Sequence, residues 1–286
     1  MVAYRPEIDG LRAVAVIPVV LFHLGFDWIS CGYLGVDVFF VISGYLITQI
    51  IVSDLQAGTF SYTRFISRRI RRIGPVLLAV VSAVLLVTYA GGLVYDFKFV
   101  AEQSISSLFF AANVYFWNFI GSYWGPTAEE SVLLHTWSLS LEEQFYLVFP
   151  WWLVLIWRMG RTALVWSLAL LMVGSVVAFI YATFEYPQAA FYLLPTRAWE
   201  LLCGSLLAVL GTGRRDARWI FPGFGIALIV FAYFLDFDQS TLTANRFAAV
   251  IGSLMLLAFP GSGLVFKLLS WGPCVWIGKM SYSIYM

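Results

Sequence analysis

Charge is scarce in this sequence. Acidic and basic side chains make up only 12% of its 286 residues, where a soluble domain carries roughly 25%. That excludes an ordinary soluble globular domain. With 17 basic against 16 acidic residues, no large basic surplus exists to neutralise the phosphates of a duplex, so a nucleic-acid partner is excluded as well. Cysteine is as sparse: Cys31, Cys203 and Cys274 stand alone, without CxxC or His-Cys spacing. This pattern gives no metal-binding or redox motif and predicts small buried thiols with no structural disulfide. The alternation that a β-barrel needs is missing, as are an internal repeat and a low-complexity linker. The first apolar run follows "MVAYRPEIDGLR" without a small-residue cleavage site, so the first helix is expected to stay in the protein.

Apolar and aromatic residues fill the space that charge leaves, at 61% and 18% of the chain. Apolar runs near the ~20 residues that cross a hydrocarbon core fall at about residues 12–30, 34–53, 74–95, 104–120, 143–157, 162–183, 196–211, 219–235 and 246–260, with another starting near Ile277. The expected fold is an all-α polytopic transmembrane helix bundle forming one domain over residues 1–286. The chain stops at "SYSIYM", soon after its last span begins, which suggests a bundle cut short before its final helices. Basic clusters at "YRPEIDGLR", "RFISRRIRR" (64–72) and "GRRDAR" (213–218) are assigned to the cytoplasmic side, and acidic "DFDQ" (236–239) to the other. Five candidate spans separate the second cluster from the third, whereas an even number is required. One of them is therefore expected to be re-entrant or interfacial, either 104–120, which runs into "GSYWGPTAEESVLLHTWS", or 196–211.

The ionisable residues within these runs are the candidates for function, because hydrocarbon penalises them unless they face a polar cavity. On the first helix the eleven steps from Arg12 to His23 total about 1,100°, close to a whole number of turns, so both residues share one face about 16 Å apart. Asp9, three residues before Arg12, can pair with it if the helix extends back that far. The plainer alternative is that Arg12 anchors the helix at the cytoplasmic rim and His23 makes a helix-helix hydrogen bond. Helix two opens with Asp37, and Ser43-Gly44 interrupts its bulky run, allowing another backbone to approach closely. In "RRIRRIGP", Arg68 and Arg71, like Arg69 and Arg72, lie three apart. They suit a polyphosphate ligand, or else simple topology and anionic lipid. "LLHTWSLSLEEQFYL" (133–147) holds His135, Trp137, Glu142, Glu143 and Tyr146. There Glu142 and Tyr146 share a helical face while Glu143 points elsewhere. Arg197 and Glu200 in "LLPTRAWELLCG" read as a structural ion pair.

Together and in this order, these elements resemble the acyltransferase-3 family of membrane acyltransferases. The resemblance rests on Arg12 and His23, on "GVDVFFVISGYL" at 35–46, on Arg68, Arg69, Arg72, Ile73 and Pro75, on "HTWSLSLEEQFY" and "LLPTRAWELLCG", and on the final "GKMSYSIYM". It covers the chain from Arg5 to its last residue, and Cys31 before Gly32 is its one small departure. The resemblance implies transfer of an acyl group, usually acetyl from cytoplasmic acetyl-CoA, to a hydroxyl of a cell-envelope glycan such as O-antigen, peptidoglycan or exopolysaccharide. It also implies an inner-membrane location, a ten-helix bundle of which about eight to nine spans are present here, and an extracytoplasmic SGNH-type domain in the full-length protein.

The expected mechanism brings the donor's phosphates to Arg69 and Arg72, with Arg68 and Arg12 adding contacts at the cytoplasmic mouth. His23 then meets the thioester as general base or as nucleophile, and Asp37 orients its imidazole if the two helices bring them within reach. Glu142, Tyr146, His135 and Trp137 serve the acceptor or the structure. No metal is expected. The competing class is a transporter or flippase of glycan precursors without acyl chemistry, against which stands the lack of an inverted repeat.

Overall fold

The computed structural model describes residues 4–26, 28–91, 94–119, 131–211, 220–234, 239–259, 261 and 263–286. The basic stretch 213–218, the segment 121–130 and most of the acidic stretch 236–239 lie outside the described residues. Among the described residues all regular structure is helical. Helix α1 (Pro6–His23) begins with a proline, whose missing N–H would have had no intrahelical acceptor, and with Glu7 and Asp9 against the positive end of the helix dipole. A 3₁₀ turn at Gly32–Leu34 leads into α2 (Gly35–Gln56). Helix α3 (Tyr62–Ala90) is started by Ser61, whose Oγ accepts the Arg64 N–H at 3.4 Å. It begins at Tyr62, well before the apolar run at 74, because arginine is a good helix former and the arginine cluster winds into the same helix.

The run at 104–120 is not one span. It divides into α4 (Val94–Leu108) and α5 (Ala112–Phe119), broken at Phe110 with φ 53°. Their lengths, roughly 22 and 12 Å, are each short of a hydrocarbon core of about 30 Å. Hydropathy runs straight through the break because Phe109, Phe110 and Ala111 are all apolar. The backbone at the break is satisfied by side chains of α6 (Thr136–Trp157): Gln144 Nε2 donates to the Phe110 carbonyl at 2.8 Å, and Ser140 Oγ accepts the Ala112 N–H at 3.2 Å. Then follow α7 (Arg161–Glu185), α8 (Pro187–Tyr192), α9 (Leu194–Leu210), α10 (Ile220–Phe234), α11 (Gln239–Ala258), α12 (Leu264–Leu269) and α13 (Gly272–Tyr285). Four stretches, Gly32–Gln56, Tyr62–Ala90, Arg161–Glu185 and Pro187–Leu210, are long and apolar enough to cross a membrane.

The chain forms two compact units. In the first, residues 1–56 and 200–285, α1 packs on α2 and α13, and α11 packs on α10 and α2. Glycines set the closest approaches. A Cβ on Gly44 would overlap the Leu201 carbonyl, and one on Gly204 the Val41 carbonyl, so α2 and the end of α9 meet backbone to backbone, as the Ser43-Gly44 interruption predicts. Gly10 likewise abuts the Leu269 carbonyl, and Gly278 the Asp9 carbonyl. In the second unit, residues 57–199, α4, α5, α7 and α8 pack on α6, and α3 packs on α4. Cys31, Cys203 and Cys274 are free thiols.

Candidate functional site

His23 is the last residue of α1 and is exposed. Its Nδ1 lies 2.7 Å from the Val19 carbonyl oxygen one turn back. A carbonyl only accepts, so in the neutral imidazole Nδ1 carries the proton and Nε2 carries the lone pair. The Phe22 ring meets the His23 ring edge-on at 5.3 Å and the Tyr33 ring at 5.5 Å. In the first half of the helix, Arg12 Nη1 donates to Asp9 Oδ1 at 3.3 Å and the Tyr4 hydroxyl donates to Asp9 Oδ2 at 2.9 Å. The Asp9–Arg12 pair forms because α1 reaches back to Pro6.

Asp37 is 1% exposed, and its Oδ1 lies 2.9 Å from Arg246 Nε on α11. Gly35 abuts the Ala15 carbonyl and the Val19 side chain, so the start of α2 packs directly on the second half of α1. For Asp37, expected to orient the His23 imidazole, the close contact seen is with Arg246. The Val19 carbonyl meets Nδ1, and Asp37 is engaged with Arg246 deeper in the unit. Arg246 was missed because it stands at the edge of the 246–260 run, where a charge reads as a boundary. A cation followed by "FAAVIGSLMLLA" was the available signal.

In the second unit Arg69 is the centre of a largely buried ion cluster. Its Nη2 lies 2.8 Å from Glu143 and 4.0 Å from Glu142, and its guanidinium stands 4.1 Å over the Tyr146 ring. The Tyr146 hydroxyl donates to Glu142 in a short hydrogen bond, so the predicted Glu142–Tyr146 pair shares a face. Glu143, expected to point elsewhere, converges on the same arginine, because a guanidinium is broad enough to meet both carboxylates. Arg68, Arg71 and Arg72 are exposed on α3, and Arg71 donates to Ser67 at 2.8 Å.

His135 precedes α6 and is half-buried. Trp137 is buried against Phe191, with ring centroids 4.5 Å apart, and the buried Arg197 guanidinium lies 5.6 Å from its ring. The strip Thr136, Ser140, Gln144 along α6 was not singled out from sequence, although its four-residue spacing marks one polar face. Thr136 meets Ser107 at 2.8 Å, and Gln144 donates to Asn113 Oδ1 at 2.8 Å. Among the described residues no group of three His, Cys, Asp or Glu side chains is placed to hold a metal ion.

Comparison with known proteins places these residues in context. The peptidoglycan O-acetyltransferase OatA of Listeria monocytogenes is 32% identical to 99% of this chain, and the O-acetyltransferase OatA of Staphylococcus aureus is 31% identical to 99% of it. YrhL of Bacillus subtilis, which bears a provisional peptidoglycan O-acetyltransferase name, is 34% identical, again over 99%. These matches cover 48%, 50% and 48% of the respective relatives, so the chain spans about half the length of the curated relatives it matches. No solved structure matches the chain. The acyltransferase domain family is matched by residues 5–286, and on that match the chain belongs to the acyltransferase-3 family.

Proposed function

We propose that this chain is the membrane part of an O-acetyltransferase that moves acetyl from cytoplasmic acetyl-CoA to a hydroxyl of a cell-envelope glycan. Peptidoglycan is the acceptor in the names of two relatives and is the first acceptor to test. The observation that carries the reading is the His23 ring, exposed at the last turn of α1 with Nδ1 2.7 Å from the Val19 carbonyl oxygen, so that in the neutral ring Nε2 is the nitrogen with the lone pair. A lone pair there either takes the proton of the acceptor hydroxyl as its oxygen attacks the thioester carbonyl, or itself attacks to form an acyl-imidazole that the hydroxyl then opens. In both routes the carbon–sulfur bond breaks and the CoA thiolate leaves, taking up the proton that the hydroxyl gives away. Arg12, on the same helical face about 16 Å back along α1, suits the anionic end of the donor. Exposed Arg68 and Arg72 offer guanidinium groups of the same chemistry, whereas Arg69 holds Glu142 and Glu143 in place.

The test uses the intact protein in membranes, supplied with labelled acetyl-CoA and isolated glycan. His23→Ala is expected to abolish transfer while leaving membrane insertion unchanged. An alanine variant with wild-type transfer overturns the reading.

A further inference from the structure

We propose that Lys279 is a second donor-phosphate ligand, acting beside Arg12 at the same end of the first unit. This inference rests on the acyl-CoA reading above. The sequence "GKM" near the end of the chain places Lys279 directly after Gly278 on α13, and Gly278 is seated against the Asp9 carbonyl where a Cβ would overlap it. Gly10 makes the same kind of contact with the Leu269 carbonyl of α12. Two backbone contacts thus fix the first turns of α1 against α12 and α13, and they carry Lys279 to the turn that holds Asp9.

Asp9 is the hub of this corner. One carboxylate oxygen takes Arg12 Nη1 at 3.3 Å and the other takes the Tyr4 hydroxyl at 2.9 Å, while Lys279 Nζ stands 5.4 Å from the Tyr4 ring centroid. Arg5, the third cation at this end, is already engaged: it meets Glu7 at 2.8 Å, the Tyr45 hydroxyl at 3.0 Å and the Leu257 carbonyl at 3.3 Å. Lys279 is exposed, and no carboxylate pairs with it among the described residues. Among the described residues Glu7 offsets Arg5 and Asp9 offsets Arg12, so Lys279 adds one positive charge in excess to the corner. A long single bond on Arg12 and an aromatic face under Lys279 are weak holds. Both cations are therefore able to turn to a phosphate, the anion that an ammonium binds as a point charge and a guanidinium binds as a fork.

The phosphate in question belongs either to the donor or to lipid headgroups, and the experiment separates them. The intact protein is placed in vesicles of zwitterionic lipid alone and of zwitterionic lipid mixed with anionic lipid. It is assayed with acetyl-CoA and with phosphate-free S-acetyl-pantetheine. Lys279→Ala is expected to raise KM for acetyl-CoA roughly tenfold, the loss of one charge-assisted hydrogen bond, with kcat unchanged. KM for the phosphate-free donor stays constant, both vesicle types agree, and Lys279→Arg stays near wild type. An unchanged KM for acetyl-CoA overturns the inference, as does an equal rise with both donors. A rise confined to anionic vesicles assigns the lysine to lipid and overturns it too. If the wild-type protein uses no acetyl-CoA, it is the underlying reading of the activity that fails.

Discussion

Replacing Arg69 by alanine strips two neighbouring carboxylates of their shared counter-charge. Glu143 lies 2.8 Å and Glu142 4.0 Å from the guanidinium, with side-chain exposures of 8% and 20% against 14% for Arg69 itself. Breaking a buried pair by removing one partner costs about 3–5 kcal/mol, because the remaining charge stays out of water. The Tyr146 ring under the guanidinium adds up to about 2 kcal/mol, and since both contacts vanish together the two figures do not simply sum. We expect a loss of about 3–5 kcal/mol, which lowers the thermal midpoint on the order of 10 °C. The chain has 12 tryptophans, so intrinsic fluorescence of the intact protein in detergent during heating reads the transition directly. Arg72→Ala, made on an exposed residue of the same helix, is expected to leave the midpoint within about 1 °C. The double variant Arg69→Met with Glu143→Met is expected to recover part of the loss, since no buried charge is stranded on that pair. An Arg69→Ala protein that melts with wild type yet binds acetyl-CoA more weakly refutes this account and returns Arg69 to the donor.

Gly44→Ala and Gly204→Ala each push a methyl into a facing carbonyl and are expected to cost about 1–3 kcal/mol, read as lower yield and midpoint, whereas Gly74→Ala, whose nearest neighbour is an Ile70 methyl at 3.8 Å, is tolerated. Arg246→Met removes the ion partner 2.9 Å from Asp37, which is buried at 1% exposure, and is expected to cost about 3–5 kcal/mol. Combining it with Asp37→Leu is expected to restore most of that stability in the same melting assay.

Much of the helical architecture was legible because hydropathy reports what lipid requires, but the limits of helices were less so. The start of α3 lay hidden in "RFISRRIRR", where a polar sequence is as helical as the apolar one that follows. Counting crossings against basic clusters marked 104–120 or 196–211 as a segment that does not simply cross, but the break at Phe110 was not readable, since nothing in "LFFAAN" lowers hydropathy. For the candidate site, spacing along one helix was enough to predict that Asp9 meets Arg12 and that Glu142 meets Tyr146. Pairings between helices were not readable. The partner of Asp37 is Arg246, more than two hundred residues away, and the partner of Arg69 is chiefly Glu143, because those contacts depend on helix register, which one sequence does not encode locally.

The Nδ1 contact of His23 has a consequence for genetics. The group 2.7 Å from Nδ1 is a main-chain oxygen, so no side-chain replacement at residue 19 deletes it. The orienting group would be exposed by a backbone ester at the peptide bond of residue 19, which weakens the carbonyl as an acceptor while leaving every side chain in place.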